Sequence, residues 1–138
     1  MKINLIAPCG MNCGLCYAYQ REKNKCSGCR CDFNLPNSCQ RCSIKNCDFL
    51  KENKSTYCYD CEKFPCLRLK QLDKRYKTKY HMSMIDNLNQ IKEKGINYFL
   101  IKEEKKWKCS NCGYIIYVHH NLSKKCPIEY QIDLKENL

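Results

Sequence analysis

Five Cys-x-x-Cys pairs punctuate the chain: Cys13/Cys16, Cys26/Cys29, Cys39/Cys42, Cys58/Cys61 and Cys109/Cys112. The spacing has a mechanical meaning. Two intervening residues let the chain turn so that both sulfurs face one ion about 2.3 Å away, with backbone amides donating to them. One such pair is weak evidence, because redox dithiols use it too. Five in a short chain point to metal, since a redox enzyme needs one pair and a disulfide framework rarely joins partners so close. The remaining cysteines are Cys9, Cys31, Cys47, Cys66 and Cys126. Up to Cys66 there are four pairs and four singles. These twelve candidate ligands suffice for three tetrahedral sites, with the grouping left open. Cys31 is the least secure, because Cys29-Arg30-Cys31 makes it hard to aim both sulfurs at one ion.

The tail carries its own candidate site. Cys109-Ser110-Asn111-Cys112-Gly113 reads as a zinc-knuckle turn, with Gly113 free to take a positive φ. A full zinc ribbon would close with another pair, yet only Cys126 follows, and three residues on stands Glu129. The fourth ligand is then His119, His120, Glu129 or absent. Adjacent strand residues face opposite ways, so one histidine at most meets the ion, and His119 is the choice made here. His81, with no cysteine beside it, is read as solvated.

Two other chemistries compete with structural zinc. Cys9-x₃-Cys13-x₂-Cys16 has the spacing with which radical enzymes hold a four-iron four-sulfur (4Fe–4S) cluster. Those enzymes need a longer chain of repeated strand–helix units, so a plain iron–sulfur protein for electron transfer or cluster chemistry is the alternative. A redox or metal-handling role would use spare thiols such as Cys31 or Cys126. No glycine-rich phosphate loop and no Ser/His/acid grouping is recognisable, so no catalytic residue and no small-molecule substrate is assigned.

Composition bounds the rest. At 138 residues the chain suits one domain or two very small ones. The N-terminal MKINLIAP is interrupted by Asn4 and stopped by Pro8, too short for a signal-peptide core, and no run approaches a membrane span. A cytoplasmic, reducing setting is therefore expected, where cysteines stay thiols. The formal charge of +11 suggests an anionic partner. Metal-bound cysteines are thiolates, however. Three four-thiolate zinc sites and one with three thiolates and a histidine would bring the net to about +4. The expected partner is therefore a protein or a nucleic acid, with the basic signal discounted.

The elements that must position the ligands follow from patterning. Leu69, Leu72, Tyr76 and Tyr80 form one helical stripe, with Pro65 suited to its first turn. Ser83 and Asp86 resemble a capping box before Met84, Leu88 and Ile91, and Gly95 is the stop. Ile96, Phe99, Leu100 and Trp107 suggest a third helix, with Trp107 as core. Tyr114 to Val118 reads as a strand, pairing around a turn at 119–126 with the alternating Ile128, Tyr130, Ile132 and Leu134. Between Tyr17 and Tyr59 large apolar residues are few. Backbone ordering costs about 1–2 kcal/mol per residue, and a structural zinc supplies about 10 kcal/mol or more. The fold expected is small and metal-stabilised (a zinc-cluster fold). It has an irregular cysteine-rich N-terminal half, central α-helices and a two-stranded zinc-ribbon-like hairpin. The expected division is 1–80 and 81–138, holding three to four zinc ions.

The ordered pattern resembles a cysteine-rich domain-of-unknown-function family (3795) of small bacterial and archaeal proteins. The residues that carry the resemblance are Pro8-Cys9-Gly10, Cys13, Cys16, Tyr19, Cys26-Ser27-Gly28-Cys29 and Cys39-Gln40-Arg41-Cys42-Ser43-Ile44. It continues through Cys47, Cys58-Tyr59-Asp60-Cys61 and Phe64-Pro65-Cys66. Met82 to Leu88, Trp107, Cys109 and Cys112 look like longer members with an added ribbon. Glu129 stands where such members tend to have the last cysteine. The resemblance implies metal binding, zinc foremost, and no established activity.

Overall fold

The computed structural model describes residues 1–31, 33–53, 56–118 and 122–123. Three short helices, α1 (Tyr17–Gln20), α2 (Asn37–Gln40) and α3 (Asp48–Glu52), punctuate the cysteine-rich part. 3₁₀ turns lie at Ile3–Leu5, Cys13–Leu15 and Cys58–Asp60. Three longer helices follow: α4 (Leu67–Tyr80), α5 (Met84–Lys94) and α6 (Ile96–Trp107). Then come β1 (Ile116–Tyr117) and β2 (Leu122–Ser123). The protein is small and mostly helical. No described helix is long and apolar enough to cross a membrane.

α4 to α6 form where the apolar stripes fall, and Leu69, Met84, Leu88, Ile91, Phe99, Leu100 and Trp107 are buried. The start of α4 is a correction. Cys66 is its N-cap and Pro65 precedes it, so the proline lies outside the first turn. His81, exposed and left-handed at φ 55°, ends α4 by donating its N–H to the Tyr76 carbonyl. Ser83 caps α5 by accepting from the Asp86 N–H. The reciprocal partner comes from the preceding helix: buried Asp73 of α4 accepts from Ser83 Oγ at 2.7 Å and from the Ile85 N–H at 3.2 Å. Gly95, at φ 87°, closes α5 and opens α6.

The N-terminal residues are not peripheral. Leu5, Ile6, Ala7, Met11 and Leu15 join the same buried cluster as Leu69, Met84, Leu88, Phe99 and Trp107, and Val118 belongs to it too. A tight turn builds this plug: Ile6 bridges Asn12, and Ala7 N–H donates to Met11 O at 2.8 Å. Gly10 at its tip has φ +92°, and a Cβ there would stand 2.6 Å from the Met84 carbonyl oxygen of α5. Asn87 Nδ2 donates to Gly10 O from the same helix. Behind the plug, fully buried Asn12 donates from Nδ2 to Glu103 of α6 at 3.2 Å and accepts from Gly14 N–H. Poverty in oil is real only further on. From Cys26 to Tyr57 the buried apolar side chains other than cysteine are Leu35, Ile44, Leu50 and Tyr57 among the described residues.

In the tail, β1 and β2 pair antiparallel with Ile116 opposite Ser123 and Tyr117 opposite Leu122. Pairing thus begins inside the segment expected to be the turn. The strand expected over 128–134 lies outside the described residues. Val118 N–H donates to Leu15 O, which fastens β1's end to the N-terminal plug.

Two substitutions test this packing. Gly10→Ala combines a left-handed residue with a backbone clash, and is expected to cost about 2–3 kcal/mol in urea denaturation of the protein as purified. Burial raises the Glu103 carboxyl above its usual range, and Asn12, Lys106, Trp107 and Lys102 offset this only in part. A raised acid keeps its proton in the fold, so its contribution is largest at low pH and declines as pH rises toward its folded pKa. Glu103→Gln removes that decline while keeping an acceptor for Asn12. The variant's stability relative to the parent should therefore increase as pH rises above the ordinary glutamate range toward the raised folded pKa; a constant difference would contradict it.

Candidate metal centre

All fourteen described cysteines carry free thiols. Cys126 and His119, assigned to the tail site from sequence, lie outside the described residues, as do His120 and Glu129. Eleven of the described thiols gather in three adjoining neighbourhoods, and each is set up by local backbone geometry.

The first holds Cys13, Cys16, Cys26, Cys29 and Cys39. Asn12 caps the 3₁₀ turn that carries Cys13. Cys16 is the N-cap of α1, and the Ala18 and Tyr19 backbone N–H groups donate to its sulfur. Cys26 N–H donates to Ala18 O at 2.8 Å, laying the second pair against α1. Gly28, at φ +100°, lets its N–H turn back to Cys26 Sγ at 3.4 Å. Burial raises the Cys16 thiol, with Cys26 and Cys39 adding repulsion. The Cys13 side chain chiefly pushes the Cys29 thiol up to about 12, with burial adding to it and the Cys39 side chain acting the other way.

Cys9, at the tip of the N-terminal turn, leads the second. Its sulfur receives the Met11 backbone N–H, yet burial pushes its thiol up to about 12. The thiols that press on it most are Cys29, Cys58 and Cys42. The backbone brings distant turns to this point: Cys58 N–H donates to Pro8 O at 3.0 Å, and Arg30 Nε donates to Ile6 O at 2.7 Å.

The third is a cavity of about 30 Å³ lined by Cys47, Cys58, Cys61 and Cys66, with Ile44, Leu50, Phe64 and Leu69 as apolar wall. That is the scale of one small guest. Burial raises Cys58 to about 12, with Cys66, Cys47, Cys61 and Cys42 adding to it. Arg68 spans the rim, donating to Ser43 O at 2.9 Å and approaching Cys47 Sγ at 3.5 Å.

Cys31 stands apart. Its Sγ donates to Ser27 O at 3.2 Å, closing its own turn. Cys109 is buried and Cys112 half-buried on the tail knuckle, where Cys109 N–H donates to Tyr114 O and Gly113 N–H to Cys109 O.

Among the described residues no three Cys, His, Asp or Glu side chains stand at ligation geometry. What the neighbourhoods offer is the donor chemistry. Soft sulfur ligands are gathered four or five at a time, and backbone N–H groups point at Cys9, Cys16 and Cys26. Burial and neighbouring thiols push the Cys9, Cys16 and Cys58 thiols up, and the charge of a divalent cation would compensate the thiolates it binds.

Sequence reading missed Arg30 and Arg68, whose side chains pin the cysteine turns. A lone arginine carries no spacing signal that could have marked either one. Searches of curated proteins and of solved structures give no match to the chain. Residues 5–71, the span of all three thiol neighbourhoods, match the model of the family described as Protein of unknown function (DUF3795).

Proposed function

We propose that this protein is a cytoplasmic metal–thiolate protein whose ions, zinc foremost, are structural. The reading assigns three ions to the cysteines up to Cys66. A fourth belongs to a zinc-ribbon-like tail through Cys109, Cys112 and Cys126, with His119 as completing ligand. One observation carries it. Cysteines crowd one another on and around the stretch from Cys26 to Tyr57, which has least oil to fold with, and the Gly28 N–H already turns back to Cys26 Sγ. No catalytic step is assigned.

Anaerobic purification with elemental analysis tests the metal. A colourless protein with three to four zinc ions per chain is expected. A brown protein with iron and sulfide would replace this reading with the iron–sulfur one. Chelation under reducing conditions should collapse amide dispersion across residues 16–66 in NMR spectra, and unchanged dispersion there would end the structural-ion reading.

A partner surface goes with the scaffold. On α4, Arg68, Lys70, Lys74, Arg75, Lys77 and Lys79 are exposed, and the helix's one acid, Asp73, is buried. Lys70, Lys74 and Lys77 share one flank of the helix, and Arg68, Arg75 and Lys79 the other; the first flank suits an acidic partner, nucleic acid or acidic protein. With a mixed-sequence DNA duplex as probe, affinity should fall steeply with salt, and K70E/K74E should weaken it about tenfold. A salt-independent response, or equal binding by the double variant, would remove α4 as the nucleic-acid surface.

A further inference from the structure

Trp107 is the chain's single tryptophan, and only 1% of it is exposed. Among the described residues, its Nε1 is the one buried side-chain nitrogen or oxygen without a hydrogen-bond partner. Glu103, one turn earlier on α6, feels the indole N–H as one of the smaller influences lowering its carboxyl, yet neither of its oxygens stands at hydrogen-bond geometry to Nε1. A buried donor left unsatisfied is costly, so the space beside it bears on its role.

The indole borders a cleft of about 150 Å³ between the end of α4, the start of α5 and the end of α6. A cavity of about that volume takes a benzene-sized guest. Its lining has two characters. Met82, Glu103 and Trp107 are buried, whereas Lys77 is exposed and Lys106 half-buried. Lys106 Nζ lies 5.3 Å from the indole centroid, and Lys77 Nζ lies 3.7 Å from Asp73 Oδ2. Of the two acids in the lining, Asp86 is exposed and turned to solvent-facing positions of α5, and Glu103 is buried. Burial raises the Glu103 carboxyl, which favours its neutral form and lessens its repulsion of an anion. An unpaired donor, two ammonium groups and an apolar wall of Met82 and indole match a carboxylate with a short apolar body.

We propose that this cleft binds a small organic carboxylate. One carboxylate oxygen accepts from Trp107 Nε1–H, Lys77 and Lys106 meet the charge, and the apolar body packs on Met82. The site is independent of the metal–thiolate reading, since it belongs to the helical half and no cysteine lines it.

Butyrate, titrated into the full chain as purified at fixed pH and ionic strength, is the probe. The single indole N–H resonance in nitrogen-15 NMR spectra and the single tryptophan's fluorescence report on the cleft. A saturable shift of both is expected, with a Kd of about 1 mM. Lys77→Gln combined with Lys106→Gln should weaken binding about tenfold while leaving amide dispersion intact, and butyramide, the neutral isostere, should bind the parent about tenfold more weakly. Trp107→Phe keeps a ring and removes the donor, and ligand-observed NMR should show a similar loss; the lysine variant decides the matter if that chain does not fold. No saturation by about 20 mM butyrate, shifts confined to residues away from the cleft, or equal binding of butyramide would overturn the site. Equal binding of inorganic phosphate would overturn the organic-acid class.

Discussion

Crowded sulfur is the constraint on which the rest of this structure depends. Cys9, Cys29 and Cys58 are each pushed up to about 12. Removing a proton from Cys9 or Cys58 would place a charge in a buried setting beside other polarisable sulfurs, while Cys29 is pushed up chiefly by its neighbour Cys13. Kept neutral, thiols bind one another weakly and add little to stability. Crowded thiol side chains are a poor core by themselves. A doubly charged ion changes each quantity at once, because it compensates the thiolates and cross-links distant turns. Its binding free energy then enters folding directly.

The helical half gives that chemistry a rigid frame. Residues 5–15 sit in the helices' core, so Cys9, Cys13 and Cys16 are anchored by Leu5, Ile6, Met11 and Leu15 against Met84, Leu88 and Phe99. Gly10 permits the closest approach, with its α-carbon against the α5 backbone. Residues 26–61 have few such anchors, Ile44 and Tyr57 among them, and are held largely by polar fasteners. Arg30 reaches Ile6 O and Thr56 O and lies over the Tyr57 ring. Arg68, Asn46 and Gln40 close neighbouring turns. These bonds to exposed carbonyls are each modest, of order 1 kcal/mol. Two kinds of cohesion therefore meet along the chain, apolar packing around the ends and ligand chemistry in the middle.

The sequence was legible where period and burial coincide. Three helices could be placed because Leu69, Leu88, Ile91, Phe99 and their neighbours repeat at helical spacing and face one core. Asp73 and Glu103 could not be read as buried, since a carboxylate in a charged stretch looks solvated until its partner elsewhere in the chain is known. The depth of the N-terminus was hidden for a related reason: a short apolar run declares nothing about what covers it. Cysteine spacing marked the thiols that cluster but not their grouping. Cys58 presses on Cys9 because Pro8 is tied to Cys58, a contact across fifty residues. Cys31 looked awkward beside Cys29, and its bond to Ser27 is the local outlet the backbone gives it.

The link between Asp73 and the start of α5 has a consequence for the order of assembly. Both ends of that link lie within twelve residues, so α4 and α5 can dock as a hairpin with a small loss of chain entropy. Their pairing needs neither the sulfur-rich stretch nor any bound cation. A preformed platform would offer its apolar groove to the N-terminal turn, and the wandering middle of the chain would be gathered last, as its ions arrive.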